Sequence, residues 1–166
     1  FERTTVRDLA QVVGIQSGSI FHHFKSKEEI LRCVMEEVIN FNTDRMKAAL
    51  LQAQSPREKL LALIRSELVS INGETGEAMA VLIFEWRSLG EDSQRYILTL
   101  RERYEQMWLD TLNEAQAAGL IPPGVDTFIQ RRFLTGALSW STYWYNPSGA
   151  LTLDQLAEQA LALVVR

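Results

Sequence analysis

The segment from Lys27 to Ser55 most constrains the fold, because it contains no Gly or Pro and its apolar residues recur every three or four positions. Ser26 and Glu29 have the spacing of a capping box, in which the hydroxyl accepts a bond from a backbone N–H three residues on and the carboxylate reaches back. A helix is therefore expected to begin at Lys27. About 25 residues with a rise of about 1.5 Å each predict one helix of about 40 Å, long enough to join two parts of a protein.

The same spacing of apolar residues continues through the rest of the chain, interrupted at Gly, Pro and Asn positions. The sequence has no alternating runs rich in Val, Ile and Thr, which would indicate strands. We therefore predict an all-α fold. Start and stop signals predict helices over about 56–72, 77–89, 93–118 and 126–145, and a last helix that begins at the capping box from Thr152 to Gln155.

The composition excludes several classes of protein. The 166 residues are 46% hydrophobic, enough for a buried core, and the formal charge of −4 excludes a protein that coats nucleic acid by bulk positive charge. No apolar run reaches the roughly 20 residues that a membrane-spanning helix needs. Together with a single cysteine, Cys33, these features predict a cytoplasmic protein without membrane association.

Catalytic and metal-binding motifs are not apparent in the sequence. His22 and His23 are its two histidines, and Cys33 lies on a different predicted helix, so a zinc site would lack ligands. No nucleophile elbow or Gly-rich phosphate loop is present. We therefore expect no metal, no cofactor and no enzymatic activity, and we interpret Cys33 as a core residue.

The first residues have the pattern of a helix-turn-helix. Thr4 and Thr5 can cap a short helix that Gly14 ends, and a second short helix follows with Ile20, Phe21 and Phe24 on its inner side. Small or hydrogen-bonding residues lie between the apolar positions of the second helix. Such groups can approach base edges and phosphates in the major groove of DNA.

This stretch resembles the DNA-binding signature of TetR-family transcriptional repressors. The resemblance rests on TTVRDLA at residues 4–10, GI at 14–15, GSIF at 18–21, HF at 23–24 and SKEEIL at 26–31. It implies a homodimer that binds a palindromic operator and releases it when a small molecule enters a larger C-terminal domain. We assign residues 1–30 to the DNA-binding domain and residues 31–166 to the effector-binding and dimerisation domain.

The resemblance also implies three helices in the DNA-binding domain, of which the first is absent here and is expected to precede Phe1. Gln16 replaces the usual Ser cap of the recognition helix, and Phe21 lacks the hydroxyl that a Tyr commonly gives to a phosphate. The residues assigned to DNA binding are Thr4, Thr5, Arg7, Gln16, Ser17, Gly18, Ser19, Phe21, His22, His23 and Lys27.

A bulky apolar and aromatic set on two predicted helices of the C-terminal part indicates a cavity, although such stripes also occur in ordinary cores. Arg87, Arg101 and Arg103 are available to meet an anionic end of a ligand at its mouth. We expect an amphipathic effector such as an acyl-CoA-like molecule. The predicted effector-binding residues are Met79, Ile83, Trp86, Arg87, Arg101, Tyr104, Met107 and Trp108.

The last two predicted helices carry apolar stripes that suggest a four-helix dimer interface, the alternative being packing within one chain. The predicted interface residues are Ile129, Phe133, Gly136, Ala137, Trp140, Trp144, Leu156, Ala160, Leu161 and Val164. The sequence thus favours a ligand-responsive repressor. An α-helical protein-interaction module without DNA binding is the alternative function.

Lys27 is assigned to a DNA phosphate, a contact that carries no base information. Replacing Lys27 by Ala should weaken binding to all operators alike and lower the slope of log affinity against log salt by about 1. Fluorescence anisotropy titrations at several salt concentrations measure both quantities. A changed preference among operator sequences would contradict the phosphate assignment.

Overall fold

The long helix predicted from the Gly- and Pro-free segment is α1, Lys27–Gln52. It begins as expected, because the Ser26 hydroxyl accepts a hydrogen bond from the backbone N–H of Glu29 at 3.1 Å. The Glu29 carboxylate in turn accepts the backbone N–H of Lys25 at 2.8 Å. The structure, a computed structural model, describes residues 24–73 and 75–166, without the side chains of residues 78 and 81–83.

Helices follow α1 along the whole described chain. They are α2, Pro56–Asn72; α3, Gly76–Phe84; α4, Glu91–Ala117; α5, Thr127–Trp140; and α6, Leu153–Val164. All regular elements in residues 24–73 and 75–166 are helical, which confirms the all-α prediction. None of these helices is long and apolar enough to cross a membrane.

Two predicted helices end earlier than expected and continue as short 3-10 turns. The helix predicted over 77–89 is interrupted at Glu85, and the turn Trp86–Ser88 follows. This turn places Leu89 in the core with 5% exposure, and Trp86 packs partly buried against the same cluster. The helix predicted to reach residue 145 ends at Trp140 and is followed by Ser141–Tyr143.

The apolar core forms two clusters that α1 connects. The first lies between the N-terminal half of α1 and the beginning of α4, and its buried members are Ile30, Leu31, Val34, Met35, Val38, Ile39, Leu89 and Ile97. The second surrounds α2, and its buried members are Met46, Leu60, Leu63, Ile64, Leu68, Trp108, Leu112, Ala115, Ile121, Leu138, Ala157 and Leu161. A displacement of α1 therefore affects both clusters.

A hydrogen bond joins the starts of α1 and α4. Glu28 Oε1 accepts the backbone N–H of Gly90 at 2.8 Å. Gly90 is the N-cap of α4 and has no side chain to cap it, so the Glu28 carboxylate supplies an acceptor at that helix end. Hydrogen bonds from the Ser93 side chain and the Gly90 N–H lower the pKa of Glu28, which indicates that the ionised form makes this contact.

Candidate functional site

The residues assigned to DNA binding from Thr4 to His23 lie outside the described residues, so their roles stay predictions. Lys27 is described, and it is the exposed first residue of α1. Phe24 lies just before α1 and packs partly buried against the first core cluster. The start of α1 is therefore held by apolar contacts while the Lys27 side chain remains accessible to a partner.

A cavity of about 470 Å³ lies among α1, α2, α3, α4 and α5. Its volume is in the range of about 300–1,000 Å³ that is usual for small-molecule sites. Its wall combines apolar, polar and charged side chains. The lining residues are Ile39, Asn42, Glu67, Ser70, Met79, Leu98, Arg101, Tyr104, Glu105, Arg131, Arg132, Thr135, Gly136 and Ser139.

Glu67 is the least expected group in this wall, because it is an ionisable residue with 5% exposure on α2, at the centre of the second core cluster. Burial raises the pKa of its carboxyl from 4.5 to about 7, against the opposing effects of the Arg101 charge and the indole N–H of Trp108. The Trp108 N–H faces the carboxyl without reaching full hydrogen-bond geometry. Neither Trp108 Nε1 nor Glu67 Oε2 has a hydrogen-bond partner among the described residues.

The guanidinium of Arg131 is the second buried charge of the cavity, with 5% exposure for the whole residue. Its Nη1 lies 3.5 Å from Glu105 Oε1, and its Nε has no partner within the described chain. Arg132 stacks over the Phe128 ring at 4.7 Å from the ring centroid. With Arg101, three guanidinium groups thus face two carboxyl groups across the cavity, which favours an anionic group on a ligand.

The predicted effector-binding residues separate into two groups in the structure. Met79, Arg101 and Tyr104 line the cavity. Trp108 has no exposed surface and belongs to the second core cluster, against which Met107 packs, so Trp108 lies behind the wall. Trp86 packs against the first cluster, and the side chain of Ile83 is not described.

The remaining predicted arginines do not reach the cavity. Arg87 is exposed on the 3-10 turn before α4, and Arg103 is exposed on α4 itself. Sequence reasoning missed Asn42, Glu67, Arg131 and Arg132. Glu67 had a detectable signal, because it falls on the apolar face of α2 between Ile64 and Leu68, where helical periodicity predicts a buried residue.

Six of the predicted interface residues are exposed, all of them between residues 129 and 144 on α5 or just after it. Except for Gly136, which lines the cavity, they form an exposed apolar α5–α6 face together with Leu163 of α6. Phe133 is 77% exposed and Trp140 is 63% exposed, and Leu163, which was not predicted, is 90% exposed. A groove of about 420 Å³ runs between the two helices, beside Phe133, Ala137, Trp144 and Leu163. Exposed apolar patches of this kind mark interaction surfaces.

The other predicted interface residues occupy different depths. Ile129, Gly136, Ala137 and Trp144 are exposed, whereas Leu156, Ala160 and Val164 are half-buried. A Cβ added at Gly136 would meet no atom within 4 Å, so the packing described within one chain does not require a glycine there. Leu161 is fully buried in the second core cluster, because its side chain points toward α2 and not outward.

Comparisons with known protein families match both ends of the chain. Residues 1–34 match the family model for "Bacterial regulatory proteins, tetR family", and residues 53–166 match the model for "Tetracyclin repressor-like, C-terminal domain". The transcriptional repressor KstR2 of Mycolicibacterium smegmatis is 34% identical over 165 residues, which cover 98% of this chain and 79% of that protein.

Two solved structures extend this similarity to the fold. The crystal structure of superantigen PfiT has a TM-score of 0.82 and 63% identity, and it matches 99% of this chain and 87% of that one. The ketosteroid transcriptional regulator KstR2 of Mycobacterium tuberculosis has a TM-score of 0.78 and 28% identity, with coverage of 99% and 86%. Both likenesses extend over nearly the whole chain.

The buried carboxyl of Glu67 should make folding stability depend on pH. Its folded pKa of about 7 lies above the ordinary 4.5, so the folded protein binds the proton more tightly than the unfolded chain does. This contribution is fully present below pH 4.5 and is lost as the pH rises through 7. Relative to Glu67→Gln, the wild type should therefore lose about 3 kcal/mol of unfolding free energy across this window.

Urea denaturation of both proteins at a series of pH values measures the difference. The Gln variant is the control, because it keeps the size of the side chain. The other titratable groups are common to both proteins, so their contributions cancel in the difference between the two unfolding free energies. Parallel pH curves for the two proteins would contradict a raised pKa at Glu67.

Proposed function

Because the chain belongs to the TetR family of transcriptional regulators, as its first residues predicted, we propose that it is a ligand-responsive repressor that binds operator DNA as a homodimer. The match over residues 1–34 confirms the predicted N-terminal helix-turn-helix domain, while the boundary after residue 30 stays a prediction. The observation that carries the proposal is the cavity with charged walls, which gives the C-terminal part a site for an effector.

The cavity wall supports an amphipathic anion as the effector. Ile39, Met79 and Leu98 supply apolar surface, and Arg101, Arg131 and Arg132 supply positive charge. A volume of about 470 Å³ is enough for an acyl chain or a fused ring system. We propose that the acyl part of an acyl-CoA-like molecule enters the cavity and that its anionic part stays at the cavity mouth, within reach of Arg101 and Arg132.

α1 supports the coupling between this cavity and DNA. It lines the cavity with Ile39 and Asn42, and its first residue, Lys27, lies within the segment assigned to the DNA-binding domain. The recognition helices of a dimer must lie about 34–36 Å apart or a multiple of that distance, so a small tilt of α1 in each subunit is enough to impair binding. The effector must then bind more tightly to the DNA-incompetent arrangement, and operator must weaken effector binding by the same factor.

The exposed face of α5 and α6 supports the homodimer. Phe133, Trp140 and Leu163 would bury large apolar surface if the same face of a second chain covered them. Two helices from each chain would then form a four-helix interface. The half-buried Leu156, Ala160 and Val164 continue this surface toward the core.

One comparison favours a second function. PfiT, which is 63% identical to this chain, is described as a superantigen. This supports the alternative of an α-helical module that binds other proteins through its exposed aromatic surface. Titration of the full-length protein against promoter DNA distinguishes the repressor from the protein-interaction module, because the module is expected to have no operator affinity at any salt concentration.

The ligand switch is tested with dodecanoyl-CoA as the probe. Saturating operator should weaken the binding of dodecanoyl-CoA to the wild type. The Arg101→Ala variant should bind dodecanoyl-CoA about tenfold more weakly than the wild type does, because a charge-assisted hydrogen bond is lost. Operator affinity without ligand should not change. Arg103→Ala is the matched control, because Arg103 is exposed on the same helix outside the cavity.

Calorimetric titrations with and without operator measure this coupling. Equal affinity for dodecanoyl-CoA in both titrations would refute a ligand-driven switch at this cavity. Equal losses in the Arg101 and Arg103 variants would place the anion elsewhere on α4.

The dimer is tested with two exposed leucines. Leu163→Glu should yield a monomer, because it puts a charge into the proposed interface, where burial of an unpaired carboxylate costs several kcal/mol. Leu51→Glu is the control, since Leu51 is 73% exposed at the end of α1 and does not line the groove between α5 and α6. Analytical ultracentrifugation gives the mass of both variants, and an intact dimer of Leu163→Glu would move the interface elsewhere.

A further inference from the structure

Glu67 lines the cavity without having its hydrogen-bonding capacity filled. It is 5% exposed, and its Oε2 atom has no partner among the described residues. A buried carboxyl oxygen without a partner is costly, and native proteins seldom leave one unless something else occupies the site. Because the terminal torsion of a Glu side chain is broad and roughly two-fold, either oxygen can turn toward the cavity.

The charged neighbours of Glu67 do not satisfy it. Arg101 on α4 acts on its charge but lies beyond 4 Å from the carboxyl oxygens, since no ion pair of Glu67 occurs in the described chain. Arg131 on α5 has Glu105 as its carboxylate neighbour, at 3.5 Å. On α1, the side-chain amide of Asn42 donates a hydrogen bond from Nδ2 to Met79 Sδ at 3.3 Å, and not to Glu67. Glu67 therefore keeps an acceptor available to a ligand.

Building on the proposed effector site, we propose that Glu67 determines specificity by accepting a hydrogen bond from a hydroxyl group on the apolar part of the effector. Hydroxylated chains or rings would then bind in preference to the unsubstituted ones. A compound without the hydroxyl would displace water from the carboxyl and leave the oxygen unpaired, and polar sites of this kind reject analogues that lack the donor.

Other polar groups on a ligand would fit beside Glu67 less well than a hydroxyl. A second carboxylate would be repelled by Glu67 whenever Glu67 is ionised. An ammonium group would face the guanidinium groups of Arg101, Arg131 and Arg132 across the same cavity. A neutral hydroxyl donates to the carboxyl without adding charge to a buried site.

The test compares two isomers, 1-octanol and heptyl methyl ether, which have the same size and differ in the hydroxyl donor. Calorimetry on the full-length wild type at about pH 8 should show about tenfold tighter binding of octanol. Glu67→Gln, which keeps the size and one acceptor, should retain a smaller preference. Glu67→Leu should lose the preference or reverse it.

The pH dependence adds a readout that a purely structural role would not give. The preference of the wild type for octanol should fall between about pH 8 and pH 6 as the carboxylate gains a proton, because a charged acceptor binds a hydroxyl more strongly than a neutral one. Arg101, Arg131 and Arg132 line the same cavity and are unchanged in every variant compared. The Glu67→Gln variant retains Glu105, the other carboxyl of the cavity, and its preference for octanol should not change with pH.

Equal affinity of the two isomers for the wild type, binding of neither isomer, or the same preference in Glu67→Leu would each overturn the inference. These measurements use no DNA and no coenzyme A ester, so they are independent of the proposed switch. A Glu67-dependent preference for octanol together with full operator binding in saturating dodecanoyl-CoA would support the inference and refute the proposed function.

Discussion

The packing of α2 is the constraint on which the rest of the structure depends. Leu60, Leu63, Ile64 and Leu68 have no exposed surface, and α2 contacts α1, α4, α5 and α6. Truncation of any one of these side chains to Ala is expected to cost about 2–5 kcal/mol, a large part of the stability of a domain. A residue on α2 that faces inward therefore cannot move to solvent, and Glu67 is held at the cavity by the same packing that stabilises the fold.

The helices could be predicted from the sequence because their start signals are local. The capping residues Ser26, Ser55, Asp126 and Thr152 all accept the expected backbone N–H groups, at 3.1, 3.2, 2.9 and 3.1 Å respectively. The interruption after Trp140 could not be found in this way. It coincides with a hydrogen bond of 2.7 Å from the Asn72 amide to the Ser141 hydroxyl, between residues 69 positions apart.

The candidate site was predicted only in part for a related reason. Helical periodicity identifies which residues face inward, but it does not distinguish a packed core from a cavity wall. Tyr104 and Trp108 lie one turn apart on α4, yet Tyr104 lines the cavity and Trp108 is enclosed behind it. Arg131 and Glu67 come from helices far apart in sequence, and their convergence depends on how α2 and α5 pack.

The hydrogen bond between Glu28 and Gly90 is more sensitive to substitution of the acceptor residue than of the donor residue. Its donor is a backbone N–H, which every residue except proline provides, whereas its acceptor is a side chain that a single substitution can shorten or remove. A Cβ at residue 90 would lie 3.0 Å from Glu28 Oε1, a close contact that the flexible carboxyl can relieve by shifting. Substitutions at residue 28 among relatives can therefore strengthen or weaken the contact between α1 and α4 by small amounts. The stiffness of this junction can evolve separately from the chemistry of the cavity.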